Sequence, residues 1–166
     1  RGKMRMIQDR YNLSEINDDL QKKMVFLSGP RQVGKTTFGL DLLEQNGLKK
    51  NQRYLNWDIA RDREFIIKEQ FPAGSGFLVL DEIHKYTRWR QVVKGLFDGR
   101  KEELQILITG SARLDHYRHG GDSLQGRYHF HRMHPLSFAE LKAESNSDLN
   151  DLLNYSGFPE PFFSGS

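Results

Sequence analysis

The sequence predicts an α/β fold, a parallel sheet covered by helices on both faces. Two observations carry that prediction. Short strand-like segments alternate with helical ones along the chain. The strand-like segments are continuous apolar runs, not alternating ones, as burial on both faces requires. A length of 166 residues suits one domain, or one domain and a stub.

Taken in order, residues 13–22 carry Leu13, Ile16 and Leu20 at the spacing of a short amphipathic helix. Residues 24–27 are apolar throughout and stop at Gly29-Pro30, which predicts a buried strand. A helix over 36–45 follows, with Phe38, Leu40, Leu42 and Leu43 apolar and Asn46-Gly47 as its stop. Residues 54–57 form a second short strand. Residues 61–70 form a charged helix with Phe65 and Ile66 as its buried side. Pro72-Ala73-Gly74-Ser75-Gly76 is a loop. Residues 77–80 are a third strand. Residues 89–97 form a helix with Val92, Val93, Leu96 and Phe97 on one face and Gly99 after its end. Residues 105–108 are a fourth strand, and 127–132, alternating around Tyr128 and Phe130, a fifth. Ser137 is an N-cap for a helix through Lys142, and Glu140 completes a capping box.

Composition excludes several classes. There is no cysteine, hence no disulfide framework, thiolate metal site or cysteine nucleophile. Apolar residues make up 37% and charged residues 28%, polar for a globular domain but not a disordered chain. The apolar run at 77–80 falls far short of the ~20 residues of a membrane span. The basic N-terminus lacks the apolar segment of a signal peptide, so the default expectation is a soluble cytoplasmic protein. A net charge of +3 says little about partners. The chain starts at Arg1 and ends in Ser164-Gly165-Ser166, which reads as a fragment of a longer protein. Residues 1–134 read as the core and 135–166 as the start of a helical lid or a linker to a further C-terminal domain.

Gly29-Pro30-Arg31-Gln32-Val33-Gly34-Lys35-Thr36 fits G-x-x-x-x-G-K-[ST] at every fixed position. It follows a strand and opens a helix. The glycines let backbone N–H groups turn inward around phosphate, and the helix start adds partial positive charge. Lys35 is placed to reach the terminal phosphates, and the Thr36 hydroxyl to hold Mg²⁺. Residues 77–80 end in Asp81-Glu82. After such a loop, Asp81 is the candidate Mg²⁺ residue and Glu82 the candidate base for an attacking water. A base directly after the metal residue favours hydrolysis. The fourth strand ends in Thr109-Gly110-Ser111. Thr109 or Ser111 could bond the attacking water or the phosphate, since ligands bind at the carboxyl ends of strands in such sheets.

Together, Gly29 to Thr37, Leu80-Asp81-Glu82-Ile83-His84-Lys85 with Trp89, and Thr109-Gly110-Ser111-Ala112-Arg113 resemble prokaryotic AAA-type ATPases in which the core precedes a C-terminal domain of unknown function. Leu124-Gln125-Gly126-Arg127-Tyr128, Pro135-Leu136-Ser137-Phe138-Ala139-Glu140-Leu141 and Gly157-Phe158-Pro159-Glu160 match in the same order. The resemblance runs from about residue 24 to residue 161. It implies a three-layer P-loop NTPase with strand order 5-1-4-3-2, ATP as nucleotide and Mg²⁺ as metal. It also implies a C-terminal domain that this chain does not include.

Four further groups remain. Arg127, before the fifth strand, is the leading arginine for a neighbour's γ-phosphate, which implies a homo-oligomer; Arg113 and Arg118 are lesser candidates. Asp58 is either a site-facing acidic residue or a helix N-cap. Five of the six histidines lie between His116 and His134. His129 with His131, or His116 with His119, could pair on Zn²⁺, though ordinary histidines are the expectation. Lys85-Tyr86-Thr87-Arg88-Trp89-Arg90 interleaves cations and aromatics, a weak signal for nucleic acid. The alternative functions are an ATP-gated switch with negligible turnover and a DNA-associated ATPase.

Overall fold

The computed structural model describes residues 10–11, 13–111, 114, 123–137, 140 and 146–159. The elements are α1 (Leu13–Leu20), β1 (Met24–Ser28), α2 (Lys35–Gln45), α3 (Lys50–Arg53), β2 (Tyr54–Asn56), α4 (Ala60–Ile67), β3 (Gly76–Asp81), a 3-10 turn (Ile83–Lys85), α5 (Trp89–Arg100), β4 (Leu104–Gly110), β5 (Tyr128–Arg132) and α6 (Asn146–Tyr155). The strands form one sheet in the order β2-β3-β4-β1-β5, every neighbouring pair parallel. Counted from the other edge, this is the expected 5-1-4-3-2.

The period of two along each strand sorts the core into two layers. Met24 and Phe26 of β1 join Leu78 and Leu80 of β3 and Ile106 and Ile108 of β4 on one face, under Ile66, Trp89, Val93 and Leu96 of α4 and α5. Val25, Leu27, Val79 and Leu107 face the other way, against Ile16 and Leu20 of α1 and Phe38, Leu42 and Leu43 of α2. Both faces are covered, which explains the uninterrupted apolar strands. Phe26 stacks on Tyr128 at 4.2 Å and meets Trp89 at 5.8 Å, tying the β1–β5 ladder to α5. Burying a side chain of this size contributes about 1.5–3 kcal/mol.

The structure corrects several local expectations. Ile66 is buried as expected, but Phe65 is 38% exposed and α4 buries Asp62 in its place. Asp62 accepts the Asn56 N–H at 3.0 Å, so a polar contact orients a helix that hydrophobicity misjudged. Gly99 lies inside α5, which continues to Arg100. The Arg100 side chain anchors that helix end, donating to Pro72 O at 2.7 Å and Gly74 O at 3.0 Å. The short helices α3 and α6 carry no pattern that announced them. Asn46-Gly47 does end α2, with Gly47 at φ 66°. The capping box is formed: Ser137 N–H donates to Glu140 Oε2 at 2.8 Å and Glu140 N–H to Ser137 Oγ at 3.3 Å. The helix expected after it lies outside the described residues.

Candidate functional site

The loop joining β1 to α2 contains two left-handed residues, Gln32 at φ 62° and Gly34 at φ 98°. Left-handed residues alternating with right-handed ones can turn successive N–H groups to one side, the geometry of an anion-binding nest. Gly29 is required for space, because a Cβ there would sit 2.3 Å from the Met133 carbonyl oxygen. Val33 is fully buried and roots the loop in the core. Arg31, Gln32, Gly34, Lys35, Thr36 and Thr37 line a cleft of about 330 Å³, closed by Asp81, Glu82 and Pro159. Pro30 lies outside that lining. Pro159 was not anticipated as a site residue, because its approach depends on the chain returning after α6. Leu136 N–H, donating to Gly157 O at 2.6 Å, helps bring it there.

Lys35 Nζ folds back over the loop and donates to Gly29 O at 2.9 Å and Pro30 O at 2.5 Å. Burial lowers the pKa of this ammonium from its ordinary value, while Glu82 and Asp81 oppose the shift. Thr36 Oγ1 donates to Asp81 Oδ2 at 2.9 Å. The strand register brings Asn56, Asp81 and Thr109 level at the carboxyl ends of β2, β3 and β4. Thr109 Oγ1 accordingly donates to Asp81 Oδ1 at 2.6 Å, and Tyr54 OH to Oδ2 at 2.5 Å. Burial and the Asp81 carboxylate push the Tyr54 hydroxyl well above its ordinary pKa. Asn56 Nδ2 stands 3.4 Å from the same oxygen. Tyr54 and Asn56 went unnoticed in the sequence. Their one signal was a polar i, i+2 pair on a short strand, which has no meaning until β2 is known to border β3.

Glu82 takes a left-handed conformation, φ 57°, and its N–H donates to Thr109 O at 2.9 Å. This bend turns its side chain into the cleft wall. Lys85 Nζ lies 3.1 Å from Glu82 Oε2 and 2.6 Å from Asp58 Oδ2. Burial alone would lower the Lys85 pKa, but hydrogen bonds to Asp58 and Glu82 outweigh it and raise it. Asp58 therefore belongs to the Glu82 surroundings. It is not a helix cap, since Ile59 holds that position on α4.

Other candidates stand apart. Thr109 is fully buried on Asp81, and Ser111 accepts the Leu114 N–H at 2.9 Å through its carbonyl. Neither lines the cleft. Arg127 precedes β5 beside Met24, at the amino end of the strands, about 15 Å of strand from Gly29. It forms a two-point pair with Asp98, at 2.7 and 3.0 Å. Trp89 is 2% exposed and docks α5 on the sheet, while Tyr86 stacks on Trp57 at 4.6 Å, so neither ring is freely presented to a base. His131 and His129 both approach Asp19 Oδ2, at 2.8 and 3.7 Å. Among the described residues no group of three or more His, Asp or Glu is arranged to hold a metal ion. Arg113, Arg118, His116 and His119 lie outside the described residues. No helix among the described residues is long and apolar enough to cross a membrane.

Compared with known families, residues 21–142 match the model described as AAA domain. The chain belongs to the AAA family. It is an AAA-type P-loop core, with its five parallel strands in the order β2-β3-β4-β1-β5. Among solved structures, the AAA domain is similar to PCH-2 of C. elegans at 14% identity and TM-score 0.45, covering 90% of this chain and 45% of that one. It is also similar to the R170A variant of Thermotoga maritima RuvB at 13% identity and TM-score 0.48, covering 85% of this chain and 49% of that one. The AAA domain thus spans under half of either structure. No curated protein matches it.

Proposed function

We propose that this AAA domain binds ATP together with Mg²⁺ and hydrolyses it. The observation that carries the reading is the 2.9 Å meeting of Thr36 Oγ1 and Asp81 Oδ2 on the wall of the phosphate-loop cleft. Hard oxygen donors from two elements suit a small divalent cation, and the chain has no thiolate to compete. Mg²⁺ held by Thr36 and Asp81 would neutralise charge on the nucleotide's terminal phosphates. Thr109 and Tyr54 fix the Asp81 carboxylate by donating to both its oxygens. Lys35 now caps two neutral carbonyls, and exchanging them for a phosphate oxygen gives it an anionic acceptor. Glu82, on the cleft wall, is the base that takes a proton from the attacking water. ATP, rather than another nucleotide, is inferred from the family.

A second reading, an ATP-gated switch, is favoured by the Lys85 contacts. Glu82 is engaged by Lys85, which is itself anchored on Asp58, so turnover waits for that pair to open. In either reading Arg127 serves a neighbouring copy's site, after leaving Asp98, and not its own.

The experiment is phosphate release from Mg-ATP against protein concentration, with and without DNA, using Glu82→Gln as control. Specific activity that rises with concentration supports a homo-oligomer. The variant should keep ATP binding and lose about 100-fold or more in turnover. A variant as active as wild type removes Glu82 from the mechanism. Binding without release at any concentration supports the switch, stimulation by DNA a DNA-associated ATPase. A wild-type chain that binds no ATP overturns the whole reading.

A further inference from the structure

Arg10 has a side chain only 2% exposed, yet it belongs to none of the nucleotide-binding motifs. Its Nη2 donates to the carbonyl of Val33, inside the phosphate loop, at 2.5 Å. Its Nη1 donates to the carbonyl of His134, just beyond β5, at 2.9 Å. Glu140 Oε1 faces Nη1 at 3.7 Å, with its own side chain 2% exposed. That carboxylate also accepts from Tyr11 N–H at 3.2 Å, Ser137 N–H at 2.8 Å and Ser137 Oγ at 3.0 Å. A segment before α1 and a segment after β5 therefore meet at the phosphate loop through one buried ion pair.

We propose that the Arg10–Glu140 pair positions the phosphate loop, fixing the Val33–Gly34 peptide so that the Gly34 N–H faces the nucleotide phosphates. The peptide is trans and planar, so its C=O and N–H point in opposite directions. With the Val33 carbonyl held by Arg10, the Gly34 N–H is directed away from Arg10, toward the cleft that Gly34 lines. Glycine populates both signs of φ readily, so Gly34 by itself does not keep this peptide from flipping. A buried guanidinium does. Flipping the peptide would leave a desolvated charged donor without its acceptor. Glu140 keeps the guanidinium charged and in place, despite burial that lowers its pKa. Arg10 is thus a positioning residue for the polyphosphate tail. The inference rests on the reading that this loop takes nucleotide phosphate.

The test uses the full chain and calorimetric titration with Mg-ATP, well below each protein's melting midpoint. Arg10→Gln should raise the dissociation constant about tenfold or more, since a charged hydrogen bond is lost. Arg10→Lys retains a charged donor and should recover most of that affinity. A role in stability alone predicts no recovery of affinity beyond recovery of melting temperature. In ¹⁵N spectra, the downfield shift of the Gly34 amide proton on ATP binding should shrink in Arg10→Gln. Affinity within twofold of wild type, with the Gly34 shift intact, overturns the proposal. Should Arg10→Gln not fold, Glu140→Gln is held to the same criteria, and failure of both to fold makes the pair a fold determinant and also overturns it. Lys35→Ala separates the two readings. If it abolishes binding while Arg10→Gln does not, only this inference falls; if wild type binds no ATP, the function itself falls.

Discussion

Replacing Gly29 by alanine tests the geometry of the phosphate loop directly. The added Cβ would meet the Met133 carbonyl oxygen at 2.3 Å and its carbon at 3.3 Å, and no real Cβ contact is as short as the first. The obstacle is backbone, so no rotamer change relieves it. Met133 N–H donates to Ser28 O at 2.7 Å, and Ser28 pairs with Arg132 in the β1–β5 ladder. Retreat of Met133 therefore pulls on the ladder that carries the loop. Overpacking of this kind costs about 1–3 kcal/mol. Loss of the hydrogen bond at the ladder's end adds about 1 kcal/mol. The expected destabilisation is about 2–4 kcal/mol, a large share of the ~5–15 kcal/mol that holds a typical domain folded. With a urea slope of about 2 kcal/mol per molar, the midpoint should fall by about 1–2 M. Tryptophan fluorescence reads this transition, because Trp89 is buried against Phe26 in the native state. A midpoint shift under about 0.3 M would refute the crossing of the chain after β5 over Gly29.

Three further outcomes follow from individual residues. Gly99→Ala should stabilise by about 0.5–1 kcal/mol in the same urea assay, because Gly99 is helical and a Cβ there meets nothing within 4 Å; a loss of stability would put it beyond the helix end. Asp81→Asn should fold but lose the Mg²⁺ dependence of ATP affinity, checked by titration with and without a chelator; an unchanged dependence would sink the assignment of Asp81. The Arg127 hydrogen bond holds the Asp98 carboxyl below its ordinary value of 3.8. A depressed carboxylate pKa adds stability above the unfolded value and loses it as pH falls through the folded one. The midpoint difference between wild type and Arg127→Gln should therefore be flat near neutrality and close below pH 3.8; a difference that persists at the acid end contradicts the pairing.

The parts of the site that could be read along the chain are those whose chemistry is local. Gly29 to Thr36 is contiguous, its glycines and Lys-Thr pair are needed at fixed spacing, and the strand before it and helix after it have short-range patterns. Asp81-Glu82 likewise follows directly on an apolar strand. The same locality explains the helix errors. Gly99 breaks a helix by propensity, but Arg100 fastens to Pro72 and Gly74 across the loop and holds the last turn. Phe65 outranks Asp62 on any apolar scale, but the Asn56 N–H chose Asp62.

What distance along the chain concealed, the sheet supplied. Strand order β2-β3-β4 sets Tyr54, Asn56 and Thr109 around Asp81, although nothing along the chain marked Tyr54 or Asn56. Parallel pairing of β5 with β1 also sends Arg127 to the amino end of the strands, away from its own chain's phosphate loop. Arg10 and Glu140 find one another only because the segments flanking the core converge on Val33. Local sequence determined the phosphate loop and its two carboxylates, because backbone conformation and i, i+n spacing act over a few residues. Tertiary structure decided what holds them, because those partners are chosen by strand register and burial, and neither is a property of any one segment.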